Sequence, residues 1–172
     1  ENGDAKSQVM LGLMYLNGKG VEKDAEQSAV WFRKAAEQGD AQAQFNLGVM
    51  YYYGQGVLQD KKQAVMWYKK SAEQGMSEAQ LNLGAMYDSG SDITQDKVLA
   101  VALYRMAAEQ GLADAQFNLG LAYDNGQGVV QDTKQAIEWY RKAAEQGDLG
   151  AQYNLGLLYA KGEHISKNYE QS

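Results

Sequence analysis

The chain contains no cysteine and no proline, only one histidine, and fewer positive than negative residues. Without cysteine there can be no disulfide, no zinc–thiolate site and no thiol nucleophile, and the redox compartment is left open. Without proline, no segment carries the strongest helix breaker. Sixteen Lys and Arg against 22 Asp and Glu give a formal net charge of −6 and a pI near 4.8. That balance speaks against nucleic acid, whose recognition needs clustered Lys and Arg, and gives no pull toward an anionic membrane surface. No apolar run approaches the roughly 20 residues of a membrane-spanning helix, so membrane insertion is not expected. The chain opens on Glu1-Asn2-Gly3 with no apolar leader, which fits a cleaved signal and a trimmed chain equally.

What is present is a repeat. Leu-Gly occurs at Leu11, Leu47, Leu83, Leu119 and Leu155, each 36 residues after the last. Ala-Glu-Gln-Gly keeps the same step from Ala36, Ala72, Ala108 and Ala144, and Tyr15, Tyr51, Tyr87, Tyr123 and Tyr159 hold the register. With no insertion, the period predicts one domain over residues 1–172, in units of about 4–39, 40–75, 76–111 and 112–147 and a partial unit 148–172.

Each period reads as two helices. In the second unit, Ala43, Leu47 and Tyr51 fall at spacings of four on one face of a helix from about Asp40 to Tyr53. Gly54 ends it, Gln55-Gly56-Val57-Leu58-Gln59 makes the loop, and Asp60 with Gln63 forms a capping-box pattern, repeated by Asp24 with Gln27 and Asp132 with Gln135. Ala64, Trp67, Tyr68, Ser71 and Ala72 mark the inward face of the second helix, which ends at Gly75. Gly48 and its equivalents stand mid-helix, where glycine costs roughly 1 kcal/mol against alanine. Their recurrence predicts a close helix–helix approach, with Trp31, Trp67 and Trp139 filling wider gaps. One hairpin cannot bury these faces alone, so the units must stack into a solenoid. The fold class is therefore all-α: a right-handed α-α superhelix of stacked hairpins with a 36-residue period.

Leu-Gly-x-x-Tyr, then Gly-x-Gly-Val, Asp-x-x-x-Ala and Trp-Tyr-x-Lys-Ala-Ala-x-x-Gly, all present from Leu119 to Gly147, resemble the Sel1-like repeats, relatives of the tetratricopeptide repeats. A tetratricopeptide unit has about 34 residues and usually a late proline. Here the Gly-x-Gly loop carries the difference. Three departures stand out. Asp92 replaces the second loop glycine in the third unit, where Leu103 replaces the tryptophan, and His164 takes that glycine position in the fifth. The chain also stops at Ser172, just after the fifth unit's second helix would begin, which suggests a piece of a longer protein or an irregular tail.

The chemistry-bearing residues argue for a non-enzyme. His164 is alone in a loop, with no cysteine and no Gly-x-Ser-x-Gly element, so no nucleophile–base pair can be drawn. Asp88 to Asp96 is rich in oxygen but lacks the glycine and terminal glutamate of an EF-hand loop, and Asp96 reads better as a helix cap. Gly54-Gln55-Gly56 and Gly126-Gln127-Gly128 follow helices rather than strands, unlike phosphate loops. No metal and no cofactor are expected.

The first helices of such a superhelix line its concave wall. At about 100° per residue, Gln42, Asn46, Val49 and Tyr53 point away from the stack. The row holds Asn46, Asn82, Asn118 and Asn154, with Met10 in the first unit. Leu13, Val49, Ala85, Leu121 and Leu157 run beside it, and Phe45, Leu81, Phe117 and Tyr153 flank it. An amide ladder beside an apolar strip suits an extended peptide. In tetratricopeptide domains, inward asparagines at the matching position hold peptide backbones or terminal carboxylates, and the resemblance carries that to these four. Alternatively, each asparagine bonds to the neighbouring repeat's backbone and the strip packs between first helices. Arg33-Lys34, Lys69-Lys70 and Arg141-Lys142, near second-helix ends where cations suit the dipole, read as a solvated convex face.

The expected function is a non-catalytic scaffold or adaptor, monomeric, binding a protein or peptide in its concave groove. The rivals are a hydrolase acting on cell-wall or antibiotic substrates and a purely structural spacer or self-associating array. The resemblance implies roles in assembling membrane-associated complexes or, in bacteria, engaging host or envelope proteins, with a periplasmic or secreted location by family habit and a cytoplasmic one equally compatible with the residues.

Overall fold

A computed structural model describes residues 3–160 and Gly162. Among the described residues there are nine helices and no strand: α1 (Ala5–Asn17), α2 (Ala25–Glu37), α3 (Ala41–Tyr53), α4 (Lys61–Glu73), α5 (Ser77–Ser89), α6 (Lys97–Glu109), α7 (Ala113–Asn125), α8 (Thr133–Glu145) and α9 (Leu149–Ala160). Four hairpins and a further first helix follow one another, and each helix packs mainly on its neighbours in the chain. The core is accordingly a series of small clusters: Ala64, Tyr68, Ala79, Leu83 and Met86, for example, gather around one boundary between hairpins. His164 lies outside the described residues.

The close approach predicted at the mid-helix glycines is there, made by an aromatic ring of the partner helix. A Cβ on Gly48 would lie 2.7 Å from the Tyr68 ring, and Gly84 and Gly120 stand against Tyr104 and Tyr140 in the same way. Gly12 meets Phe32, the equivalent aromatic of the first hairpin. The residue one step beyond each tryptophan position therefore seals the hairpin.

The capping boxes form only halfway. Asp60 Oδ1 accepts the backbone N–H groups of Lys62 and Gln63, as expected of a cap. The reciprocal bond is replaced: the Asp60 N–H donates to the Tyr51 carbonyl at 3.0 Å, and Asp24, Asp96 and Asp132 donate likewise to Tyr15, Tyr87 and Tyr123. The cap residue so fastens the second helix to the end of the first.

A glutamine ladder, invisible to a hydrophobic-pattern reading, ties the hairpins together. Gln44 is buried and donates to Ala36 O at 3.1 Å while accepting from Gln74 Nε2 at 2.7 Å. Gln80 and Gln116 repeat both bonds with Ala72 and Gln110 and with Ala108 and Gln146. Each buried amide is thus satisfied from both sides, as burial demands.

Candidate functional site

The predicted asparagines are half-buried on the first helices, and three of them, Asn82, Asn118 and Asn154, lie near the aromatic residue that seals the preceding hairpin. Burial raises the Tyr68 and Tyr140 hydroxyls above the ordinary phenol value, and Asn82 and Asn154, close to those hydroxyls, pull the other way. Asn118 and Tyr104 line one small cavity. Asn46 is the exception. The sealing residue one period before Tyr68 is Phe32, which has no hydroxyl, and Asn46 Nδ2 is buried without a partner among the described residues. Its Oδ1 accepts from Gln42 Nε2 at 3.4 Å.

The apolar strip is partly absorbed by packing. Phe45 and Phe117 lean on Tyr68 and Tyr140 of their own hairpins, with ring centroids 5.9 Å apart in both cases. Val49 and Leu121 pack against the core clusters. Leu157 and Tyr153 on α9 remain exposed, at 41% and 67%.

Between α3 and α5 the strip opens. A cavity of about 420 Å³ is lined by Tyr52, Tyr53, Tyr68, Asn82, Ala85, Met86, Ser89, Ser91 and Asp92. One period on, a smaller cavity of about 110 Å³ is lined by Asp88, Tyr104, Asn118, Leu121, Ala122, Asn125 and Gln127, together with Val101. Each of those seven stands 36 residues after a lining residue of the first cavity. These are successive copies of one site, and Ala85 against Leu121 is a difference that leaves more room in the first. The strip position alone could not show this, because the enclosing residues come from three helices and a loop.

Asp92 closes the first cavity's lining for a specific reason. In the second and fourth units, the second loop glycine presses on the preceding hairpin: a Cβ on Gly56 would lie 2.1 Å from Ala25 O, and one on Gly128 as close to Lys97 O. In the third unit Asp92 stands there instead, and its carboxylate pairs with Lys61 Nζ at 3.5 Å. Lys61 Nζ also lies 3.2 Å from the Tyr52 ring centroid.

Of the basic residues expected on a solvated face, all but the exposed Lys69 touch an aromatic side chain. Arg33 donates to the Tyr51 hydroxyl at 2.8 Å, and Arg105 and Arg141 to Tyr123 and Tyr159, each bridging one hairpin to the next. Lys34, Lys70 and Lys142 lie over the Trp31, Trp67 and Trp139 rings at 4.2, 4.5 and 3.9 Å. The lysine pairs lie within one helix each, and the arginines alone reach across to the next hairpin.

The Sel1 repeat family model matches residues 5–40, 41–76, 77–112, 113–148 and 150–172. Among solved structures, a protective antigen of uropathogenic Escherichia coli, c5321, with the same repeat fold is 48% identical over 93% of this chain and 34% of its own, with a TM-score of 0.90. A Sel1 repeat protein from Oxalobacter formigenes is 42% identical over 92% of this chain and 65% of its own, with a TM-score of 0.87. Cysteine-rich protein B of Helicobacter pylori is 25% identical over 81% of this chain and 100% of its own, at a TM-score of 0.61. The chain thus spans about a third of the first of these relatives and 65% of the second. A comparison with curated proteins finds no match.

Proposed function

The chain belongs to the Sel1 repeat family, whose members generally mediate protein–protein interaction, and from that premise we propose that it holds a peptide or protein partner along the row of its first helices. The family is typically a non-catalytic scaffold. The observation that carries the reading is the repeated cavity. Tyr68, Asn82 and Met86 at one boundary, and Tyr104, Asn118 and Ala122 at the next, build the same half-polar pit at a fixed interval. An extended partner presents side chains at regular intervals, and a ladder of equivalent pits takes them in register. Asn82 and Asn118 contribute an amide to each pit that can donate to or accept from a partner's main chain.

The test pairs affinity with stability. A partner is first captured from the native organism, and its affinity is then measured against the Asn82→Ala/Asn118→Ala double variant. The expected result is a loss of about tenfold or more, as for removal of buried interfacial hydrogen bonds, alongside a modest fall in melting temperature from the lost contact of Asn82 with Tyr68. Unchanged affinity alongside a lowered melting temperature would mean that the two amides serve the stack alone, and the reading falls.

A further inference from the structure

We propose that the cavity beside Ala85 takes an arginine side chain from a basic segment of the partner. The proposal rests on the partner-binding reading above and adds the chemistry of the occupant.

The first argument is the shape and lining. The strip position that is Leu13, Val49, Leu121 and Leu157 elsewhere is Ala85 here. The cavity beside it is about 420 Å³, against about 110 Å³ where Leu121 stands. Its walls are aromatic: Tyr52 and Tyr53 meet edge to face at 4.9 Å, and Tyr68 faces them across the boundary. Asp92, at a position held by glycine in the first, second and fourth units, adds a carboxylate. Aromatic faces with a carboxylate beside them favour a cation, and a planar guanidinium both stacks on a ring and forks onto a carboxylate. The chain itself demonstrates the preference, because Lys61 Nζ already lies on Tyr52 and reaches Asp92 Oδ2. The second oxygen of Asp92 and the exposed ring of Tyr53 hold no cation among the described residues.

The second argument is the separation of charge between the two kinds of helix. Apart from Lys6 on α1, the first helices contain no Lys or Arg, whereas α2, α4, α6 and α8 all do. Helix α5 carries Glu78 and Asp88, and α7 carries Asp114 and Asp124. Lys97 pairs with Asp88 at 2.7 Å, but no ion pair forms at Glu78, Asp114 or Asp124 among the described residues. The cavity also lies at the C-terminal halves of α3 and α5, where the helix dipole favours positive charge. A partner segment crossing α5 and α7 therefore meets carboxylates at Glu78, Asp114 and Asp124 that form no ion pair among the described residues, and charge complementarity selects a basic one.

The probes are three short peptides, alike except for a central Arg, Leu or Glu in a Ser–Ala background, titrated into the full chain while its backbone amide resonances are followed. The arginine peptide is expected to shift Ala85, Ser89 and Asp92, to bind at least about fivefold more tightly than the other two, and to weaken as salt is raised. Ala85→Leu, which installs the residue already tolerated at Leu121, and Asp92→Asn are each expected to cost about fivefold or more for that peptide alone. A leucine peptide that matches the arginine peptide while shifting α5 and α7 overturns the cationic occupant and leaves the partner-binding reading standing. Full arginine binding by Ala85→Leu overturns the cavity as the anchor. No shift on α3, α5 or α7 from any peptide at millimolar concentration overturns both proposals.

Discussion

Phe32 and Asn46 show how one missing oxygen propagates. In the later hairpins the sealing aromatic is Tyr68, Tyr104 or Tyr140, and an asparagine of the next hairpin faces it. In the first hairpin the ring at that register has no hydroxyl, and Asn46 Nδ2 is buried and unpartnered among the described residues. Burying an unsatisfied amide costs free energy that a hydroxyl would recover. Phe32→Tyr is therefore expected to stabilise the chain by about 1 kcal/mol, measured by urea unfolding. The gain should vanish in the Asn46→Ala background; a gain of equal size there would mean that the hydroxyl bonds elsewhere.

At the scale of the helix, a single glycine decides how near two helices come. Gly120 lets α7 touch the Tyr140 ring, where an added Cβ would sit 2.6 Å from a carbon of a fully buried side chain. Gly156 holds the same place on α9, and a Cβ there would meet nothing within 4 Å among the described residues. The same substitution should then have opposite signs. Gly120→Ala is expected to cost about 1–3 kcal/mol through overpacking, and Gly156→Ala to gain about 0.5–1 kcal/mol from helix propensity. Equal effects of the two on chemical denaturation would rule out ring contact as the reason for the repeated glycine. The helices also differ in how they begin. Asp4 and Asp40 cap α1 and α3, while Met76 and Leu112 start α5 and α7 with no side-chain cap and turn instead toward the core clusters.

Across the molecule, the three boundaries sealed by tyrosine share one chemistry and should respond to pH together. Burial raises Tyr68, Tyr104 and Tyr140 above the ordinary phenol value of 10.0. Above that pH the unfolded chain releases protons that the folded chain retains, so this contribution is complete below pH 10.0 and is lost as pH rises further. The expected slope is up to about 1.4 kcal/mol per pH unit for each tyrosine, read from urea unfolding on either side of pH 10.0. Tyr104→Phe, with the residue that Phe32 already places in the first hairpin, should remove one tyrosine's share. An unchanged alkaline slope in that variant would show that Tyr104 titrates alike in both states.

How far the molecule can be read from its residues depends on whether a feature is local in the chain. The period, the two helices of each unit, their capping aspartates and the glycine at each first-helix end follow from spacing and backbone preference alone, which is why Asp40, Asp60 and Gly54 stand as their types predict. The glutamines gave no such signal. Gln44 and Gln80 look like surface residues until a neighbour 30 positions further along, and a carbonyl from the preceding helix, come within bonding distance. The cavity is likewise a product of the stack, because Ala85 is a small residue on a helix face until Tyr52, Tyr68 and Asp92 enclose the space that it leaves. Hydrophobic periodicity and caps act within a turn or two of helix, and the sequence suffices for them. Buried hydrogen bonds and enclosed volume need groups from several helices at fixed distances, and only tertiary packing supplies those.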